Sequence, residues 1–265
     1  MKLLIALPLK TAQYYRDRMV ACEATWLKNC PVDYKFFSDA ELGLDPNDPK
    51  VRTYRTQGMC AYALDHGYDY VFRVDSDTYV WVNRLLACGF EAHDYMGYCF
   101  DYPRHLDPAE AITRTAGGWA CFWSARAMKF IIAAEPFLVG DTYWGDIWSG
   151  KVLGKHGIRV HRDTRFMDGN GVPDAFDPDL PEDHPYVAVH PVRVTRMYTM
   201  NPNVCAETIA PDNQLYEQNP DFRYGNRSPE TCGCHYCHPD SVPCPRIGMA
   251  DSPMQTAART WQGPR

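Results

Sequence analysis

No stretch of this 265-residue chain is long and apolar enough to cross a bilayer as a helix. Positive charge is also in short supply. Lys and Arg number 27 against 33 Asp and Glu, a formal net charge of −6, so the chain as a whole does not draw in nucleic acid or an anionic membrane surface. That balance leaves room for a local basic strip. No internal repeat marks a solenoid or an array. The start, Met1-Lys2-Leu3-Leu4-Ile5-Ala6-Leu7-Pro8-Leu9, has an apolar run only about as long as the shortest secretory core, and no small-residue cleavage site follows it. It reads as a first β-strand, and the expected compartment is the cytoplasm.

What the chain does have is apolar material for one domain with an appendage. Hydrophobic residues make up 45% and charged residues 23%, the balance of an ordinary globular protein, and this length can bury a substantial core. Its 17 Tyr and 7 Trp suit stacking on bases or sugars, although packing accounts for most such rings. Eleven cysteines are an odd number. Cys22, Cys30, Cys60, Cys88, Cys99 and Cys121 are scattered singly among apolar residues, the usage expected of buried thiols in a reducing compartment.

The organising stretch runs from Tyr70 to Asn83. Tyr70-Val71-Phe72-Arg73-Val74 is β-rich with large residues on both faces, so it reads as a strand buried in a parallel sheet. Asp75 and Asp77 follow, one residue apart around Ser76. Ligands of open α/β sheets gather beyond the carboxyl ends of the strands. Two acids placed there can hold a divalent cation by oxygen, leaving open positions for phosphates. Alone, an Asp-x-Asp is more often an acidic turn capping a helix. The flanking apolar runs, with Thr78-Tyr79-Val80 after it, favour the cation site.

Residues 2–9 are the first strand. Gln13 to Leu27 has helical spacing, with Tyr15, Met19, Cys22 and Trp26 on one face, and Arg16 and Arg18 fall near its start, where a guanidinium fork can grip phosphate. Val32 to Phe37 is a second strand ending at Ser38-Asp39, where polar groups suit a nucleoside. Residues 51–66 form an amphipathic helix closed by His66-Gly67. The β-α-β-α-β order up to the organising strand predicts a Rossmann-like parallel half-sheet.

Beyond it, Asn83–Cys88 reads as a short helix and Tyr95–Phe100 as a strand, followed by a polar loop over 101–115. Gly117-Gly118-Trp119 opens an apolar strand ending at Ser124; paired glycines permit close backbone approach to a ligand, and Ser124 is placed to cap the next helix. Asp146 sits among aromatics and glycines ahead of a helix over Lys151–His156, in surroundings suited to a general base; capping that helix is the plainer role. Ile158–His161 is a short strand, 163–185 a long loop or lid, and Tyr186–Val192 a last strand carrying His190.

These segments, in this order, resemble the metal-dependent glycosyltransferases of the galactosyltransferase and fringe type, the β-1,3-glycosyltransferase family with the GT-A fold. Arg16-x-Arg18 with Thr25-Trp26, Phe36-Phe37-Ser38-Asp39, Arg73-Val74-Asp75-Ser76-Asp77-Thr78-Tyr79-Val80, Ala116-Gly117-Gly118 with Ser124, Gly145-Asp146-Ile147 through Leu153-Gly154, and Val189-His190-Pro191 carry the likeness. It spans roughly residues 1–195. Two positions depart from the family: Ser76 replaces the middle acid of a triple-Asp motif, and Gly145 replaces an acid.

The resemblance implies an inverting transfer of a sugar from a UDP-type nucleotide sugar to an acceptor hydroxyl. By that likeness Asp77, Asp75 and His190 hold Mn²⁺ or Mg²⁺, the imidazole favouring Mn²⁺. Asp146 is the general base. Leu9, Thr11, Arg16, Asp39, Arg73, Asp75 and Ser76 lie on the donor side, and Gly117, Gly118 and Trp119 on the acceptor side.

Residues 1–195 are thus the expected GT-A domain, mostly parallel α/β, and 196–265 an irregular Cys/His-rich extension. Within it Cys232, Cys234, Cys237 and Cys244 form a dense set of soft ligands suited to a structural Zn²⁺, though the spacing is not a standard finger. Cys205 is a distant further ligand. The family's membrane anchor is not seen, so the expected acceptor is cytosolic, in a bacterium or the host cell of a virus: a glycan, or a hydroxymethylated DNA base. A non-catalytic nucleotide-sugar or carbohydrate-binding module is the alternative class.

Overall fold

The organising run lies at the middle of the sheet. In the computed structural model, residues 1–9, 13–101, 114–137, 145–168, 185–192, 197 and 200 are described, all within the unit Met1–Val204. Thr11, Cys205, the 232–244 cysteine cluster and the boundary expected at 195–196 lie outside the described residues, as does most of the two loops expected over 101–115 and 163–185.

Strand β1 (Leu3–Leu9) pairs in parallel with β2 (Asp33–Ser38) on one side and with β3 (Tyr70–Val74) on the other. Leu3 to Leu7 are all buried, so both faces of β1 are covered, as its unbroken apolar run requires. Beyond β3 the direction reverses. β6 (Arg114–Ser124) runs antiparallel to β3 and to β5 (Tyr95–Asp101), and β7 (His161–Arg162) closes the edge parallel to β5. The order is β2-β1-β3-β6-β5-β7. This is a mixed α/β fold with a mostly parallel central sheet flanked by helices.

Helices α2 (Val51–Asp65), α4 (Ala125–Ala133) and α5 (Gly145–Lys155) cover one face. Their Met59, Cys60, Met128, Ile131, Trp148 and Leu153 share a core with Leu4, Ala6, Phe37, Val71, Cys121 and Trp123 of the strands. On the opposite face Phe72, Phe90, Phe122 and Phe166 form a ring cluster, with Phe90 and Phe122 stacked at 4.4 Å between centroids. Such pairs contribute roughly 0.5–1.5 kcal/mol each beyond their buried area.

The strand expected at Ile158–His161 is found at His161–Arg162, a strand at Phe166–Asp168 lies inside the segment expected as a loop, and two helices differ from expectation in their bounds. Helix α1 (Gln13–Ala24) stops three residues before Leu27, giving way to tight turns in which the Thr25 amide donates to both Ala21 and Cys22 carbonyls. Helix α5 begins at Gly145, six residues earlier than expected, so Asp146 lies inside its first turn. Low helix propensity at Gly145 and Gly150 argued against that start. Packing decides otherwise: a Cβ at Gly150 would meet Thr115 Oγ1 at 2.5 Å, so glycine is what lets α5 lie against β6.

A second sheet joins three short strands, β4 (Tyr79–Val80), β9 (Ala188–His190) and β8 (Phe166–Asp168), in the order β4-β9-β8. β4 follows the acid loop directly and pairs antiparallel with β9, Tyr79 opposite Val189. That pairing carries His190 to the acids. Among the described residues no helix is long and apolar enough to cross a membrane.

Candidate functional site

The acid loop after β3 is fastened from three sides. The Asp75 amide and the Thr78 hydroxyl both donate to the Trp119 carbonyl, at 3.0 and 3.3 Å. Cys22 of α1 donates its thiol to the Ser76 carbonyl at 3.4 Å; burial pushes that thiol up to about 12, so it is a neutral donor. The Val192 amide, just past β9, donates to the Asp77 carbonyl at 2.7 Å. Each anchor comes from a different element, so the loop's backbone has little freedom left.

Between the anchors stand the charges. Ligand atoms of Asp75, Asp77 and His190 all lie within 4.8 Å of one another. His190 Nε2 is 3.5 Å from Asp77 Oδ1, and Arg18 Nη1 donates to Asp77 Oδ2 at 2.9 Å. Burial alone would raise the Asp77 carboxyl. The charges of Arg18 and His190 and a hydrogen bond with the imidazole outweigh it and hold Asp77 well below the usual carboxylate range. Asp75 goes the other way: burial raises it, Arg73 opposes, and the charge of Asp77 adds to the rise. The two acids are therefore unequal, with Asp77 the firmly ionised one.

This donor set fits a divalent cation. It offers two carboxylate oxygens and one imidazole nitrogen, and the imidazole suits Mn²⁺ better than Mg²⁺. Three protein donors leave positions for phosphate oxygens.

Asp146 reaches the same region across an irregularity in β6. Between the pairs Gly97–Cys121 and Cys99–Ala116, β5 advances two residues while β6 retreats five. The surplus residues on β6 form a bulge that includes Gly117, Gly118 and Trp119. Bulges break the ladder and re-aim backbone and side chains. Here the Gly118 amide turns to donate to Asp146 Oδ2 at 3.2 Å, while the Ile147 amide donates to Oδ1 at 2.9 Å. The carboxylate is held by two backbone donors.

Arg73 fills the space behind Gly118. Its Nη2 donates to Asp75 Oδ1 at 3.2 Å. Its Nε and Nη1 are buried and meet no hydrogen-bond partner among the described residues. A Cβ on Gly118 would overlap Arg73 Nη1 and come within 3.1 Å of Asp146 Cβ. Gly118→Ala is therefore expected to force the guanidinium and Asp146 apart. We expect any reaction that uses Asp146 to slow at least about 100-fold, as for a misplacement of about 1 Å at a reacting group, while circular dichroism shows a folded protein. An alanine variant with unchanged turnover would contradict this crowding.

The remaining expected donor residues lie as follows. Leu9 ends β1 opposite Ser38. Arg16 is exposed on α1, whereas Arg18, two residues on, reaches Asp77. Asp39 is 2% exposed, and Arg55 of α2 donates to both its oxygens at 2.6 and 2.7 Å. Breaking such a buried pair costs about 3–5 kcal/mol, so Asp39→Ala is expected to lower the thermal midpoint sharply, a loss read by calorimetric unfolding. Ser76 is 2% exposed between its part-exposed neighbours. Arg55 is the residue that reading the sequence passed over, and Arg18 was named there only beside Arg16 as a phosphate grip, not as the partner of Asp77. Arg18 had a signal, since residues two apart on a helix point in different directions and only one of Arg16 and Arg18 can face the acids. Arg55 had none.

No family model and no curated protein matches the chain. Among solved structures it is similar to a glycosyltransferase involved in the glycosylation of the major capsid of PBCV-1. The identity is 13% over 72% of this chain and 93% of that one, with a TM-score of 0.46. It is also similar to A197 from STIV, at 13% identity over 62% of this chain and 82% of that one, with a TM-score of 0.38.

Proposed function

We propose that this chain is a divalent-metal-dependent, inverting glycosyltransferase that uses a nucleotide-diphospho-sugar. The observation that carries the reading is the convergence of Asp75, Asp77 and His190 at the carboxyl end of β3, with Asp146 bound to the same β6 bulge that anchors their loop. Ligand sites of α/β sheets lie there.

Held by Asp77, Asp75 and His190, Mn²⁺ supplies Lewis-acid stabilisation of charge on the departing nucleoside diphosphate and a template for its phosphates. Arg18 and Arg73 add fixed positive charge around the acids and the diphosphate. Asp146 accepts the proton of the acceptor hydroxyl as its oxygen bonds to the anomeric carbon. The bond from that carbon to the diphosphate oxygen breaks in the same displacement, so an α-linked donor gives a β-linked product. Leu9 lies at the nucleoside end, where Asp39 is spent on its pair with Arg55, and Gly117 and Gly118 line the acceptor side. The acceptor is a glycan or a hydroxymethylated DNA base.

The test is release of nucleoside diphosphate from a panel of nucleotide sugars, with and without Mn²⁺, glycan acceptors and hydroxymethylated DNA. Metal-dependent release that rises with one acceptor is expected. Tight binding of nucleotide sugar without turnover under any acceptor would instead mark a binding module.

A further inference from the structure

Trp119 stands out because it touches both halves of the acid–histidine group. Its carbonyl accepts from the Asp75 amide and the Thr78 hydroxyl. Its indole stacks on the His190 imidazole, 5.2 Å between centroids and 9° between planes, the offset-parallel arrangement that aromatic pairs favour. Tyr98, opposite the bulge on β5, packs against the same indole at 5.7 Å. The ring lies so close over Gly117 that a Cβ there would come within 2.6 Å of Nε1. Trp119 is 5% exposed, too deep to offer a face to an acceptor.

Its Nε1 is buried without a hydrogen-bond partner among the described residues, and an unsatisfied buried donor costs about 1–3 kcal/mol. A smaller ring would avoid that cost, so the flat face stacked on His190, and not the N–H, is the feature with a use.

We propose that Trp119 is a positioning residue for the metal site, setting the plane of His190 with its ring and the path of the acid loop with its carbonyl. The inference rests on reading Asp75, Asp77 and His190 as the metal ligands. Residues that orient metal-bound histidines are worth roughly 10- to 100-fold in metal affinity; here a stacked ring does the orienting. The carbonyl's part survives any side-chain change, so substitution isolates the ring's part.

The experiment is calorimetric titration of the purified protein with Mn²⁺ alone, for the wild type, Trp119→Phe and Trp119→Leu. Phe keeps a flat ring and removes the unpartnered N–H, and its affinity is expected to stay within about threefold of wild type. Leu fills the space without stacking and is expected to bind at least about tenfold more weakly. Equal affinities for all three would overturn the inference. If Trp119→Leu does not fold, Trp119→Tyr and Trp119→Met carry the same contrast of ring against no ring. No Mn²⁺ binding by the wild type would overturn the ligand assignment itself, a different result from equal binding by all variants. A second readout is optical: Mn²⁺ is expected to quench the wild-type tryptophan emission, and that quenching is expected to shrink in Trp119→Phe. Full quenching in the Phe variant would place the indole away from the ion.

Discussion

Replacing Asp77 with alanine is expected to abolish Mn²⁺ binding, and with it nucleotide binding that depends on the metal. The affinity loss should exceed about 100-fold, because even groups behind a ligand are worth 10- to 100-fold and Asp77 is itself the central ligand. It lies between Arg18 and His190, within 3.5 Å of both, and their charges keep it ionised against the effect of burial. Removing its carboxylate also takes away the negative charge beside the Arg18 guanidinium, which disfavours a cation further. Asp75→Asn should cost less: burial already lifts that carboxyl, and Arg73 occupies one of its oxygens. Calorimetry with Mn²⁺, then with nucleoside diphosphate in its presence, checks both variants. The Asp77 backbone bond to Val192 does not depend on the side chain, so the loop should keep its course. Wild-type affinity in Asp77→Ala would refute the metal assignment.

Asp146→Asn is expected to lower kcat by about 100- to 10,000-fold, the usual worth of a positioned general base, while metal and donor binding change little. The carboxylate accepts two backbone amides, Gly118 on one oxygen and Ile147 on the other. An asparagine can accept only one of them and must set its NH₂ against the other. That costs about 1 kcal/mol of stability, too little to unfold the domain. Asp146→Glu keeps the charge but moves it along a longer arm, and is expected to recover only part of the rate. The measurement is kcat at saturating donor, beside the Mn²⁺ affinity of each variant. Near wild-type turnover in the Asn variant would remove Asp146 from the reaction.

The strands were the most legible part of the chain. β1, β2 and β3 announce themselves as short apolar runs, and the acids after β3 are visible as a pair. Long-range register is what residue patterns do not carry. Gly117-Gly118 is plain in the sequence, yet the bulge it sits in exists only relative to β5. That bulge is why a backbone amide points at Asp146. The start of α5 was hidden for a related reason: two glycines lower its local propensity, and only Thr115, on a strand distant in sequence, explains Gly150. Arg55 could not be foreseen as the partner of Asp39, since nothing in the spacing of α2 marks one arginine as buried. Ser76, between the two acids, becomes intelligible only in place. It is 2% exposed where α1 reaches the loop, a position where a third carboxylate would have to be buried.

The pairing of β4 with β9 has a consequence for how the protein comes into being. The acids belong to the first third of the chain, but the strand that delivers His190 is the last to be described. During synthesis the N-terminal segments emerge and fold first. A nascent chain therefore carries Asp75 and Asp77, with Arg73 and Arg18 beside them, before it owns His190, the third residue of the proposed site. On that proposed ligand set, the cation site is completed late, by the docking of one short strand.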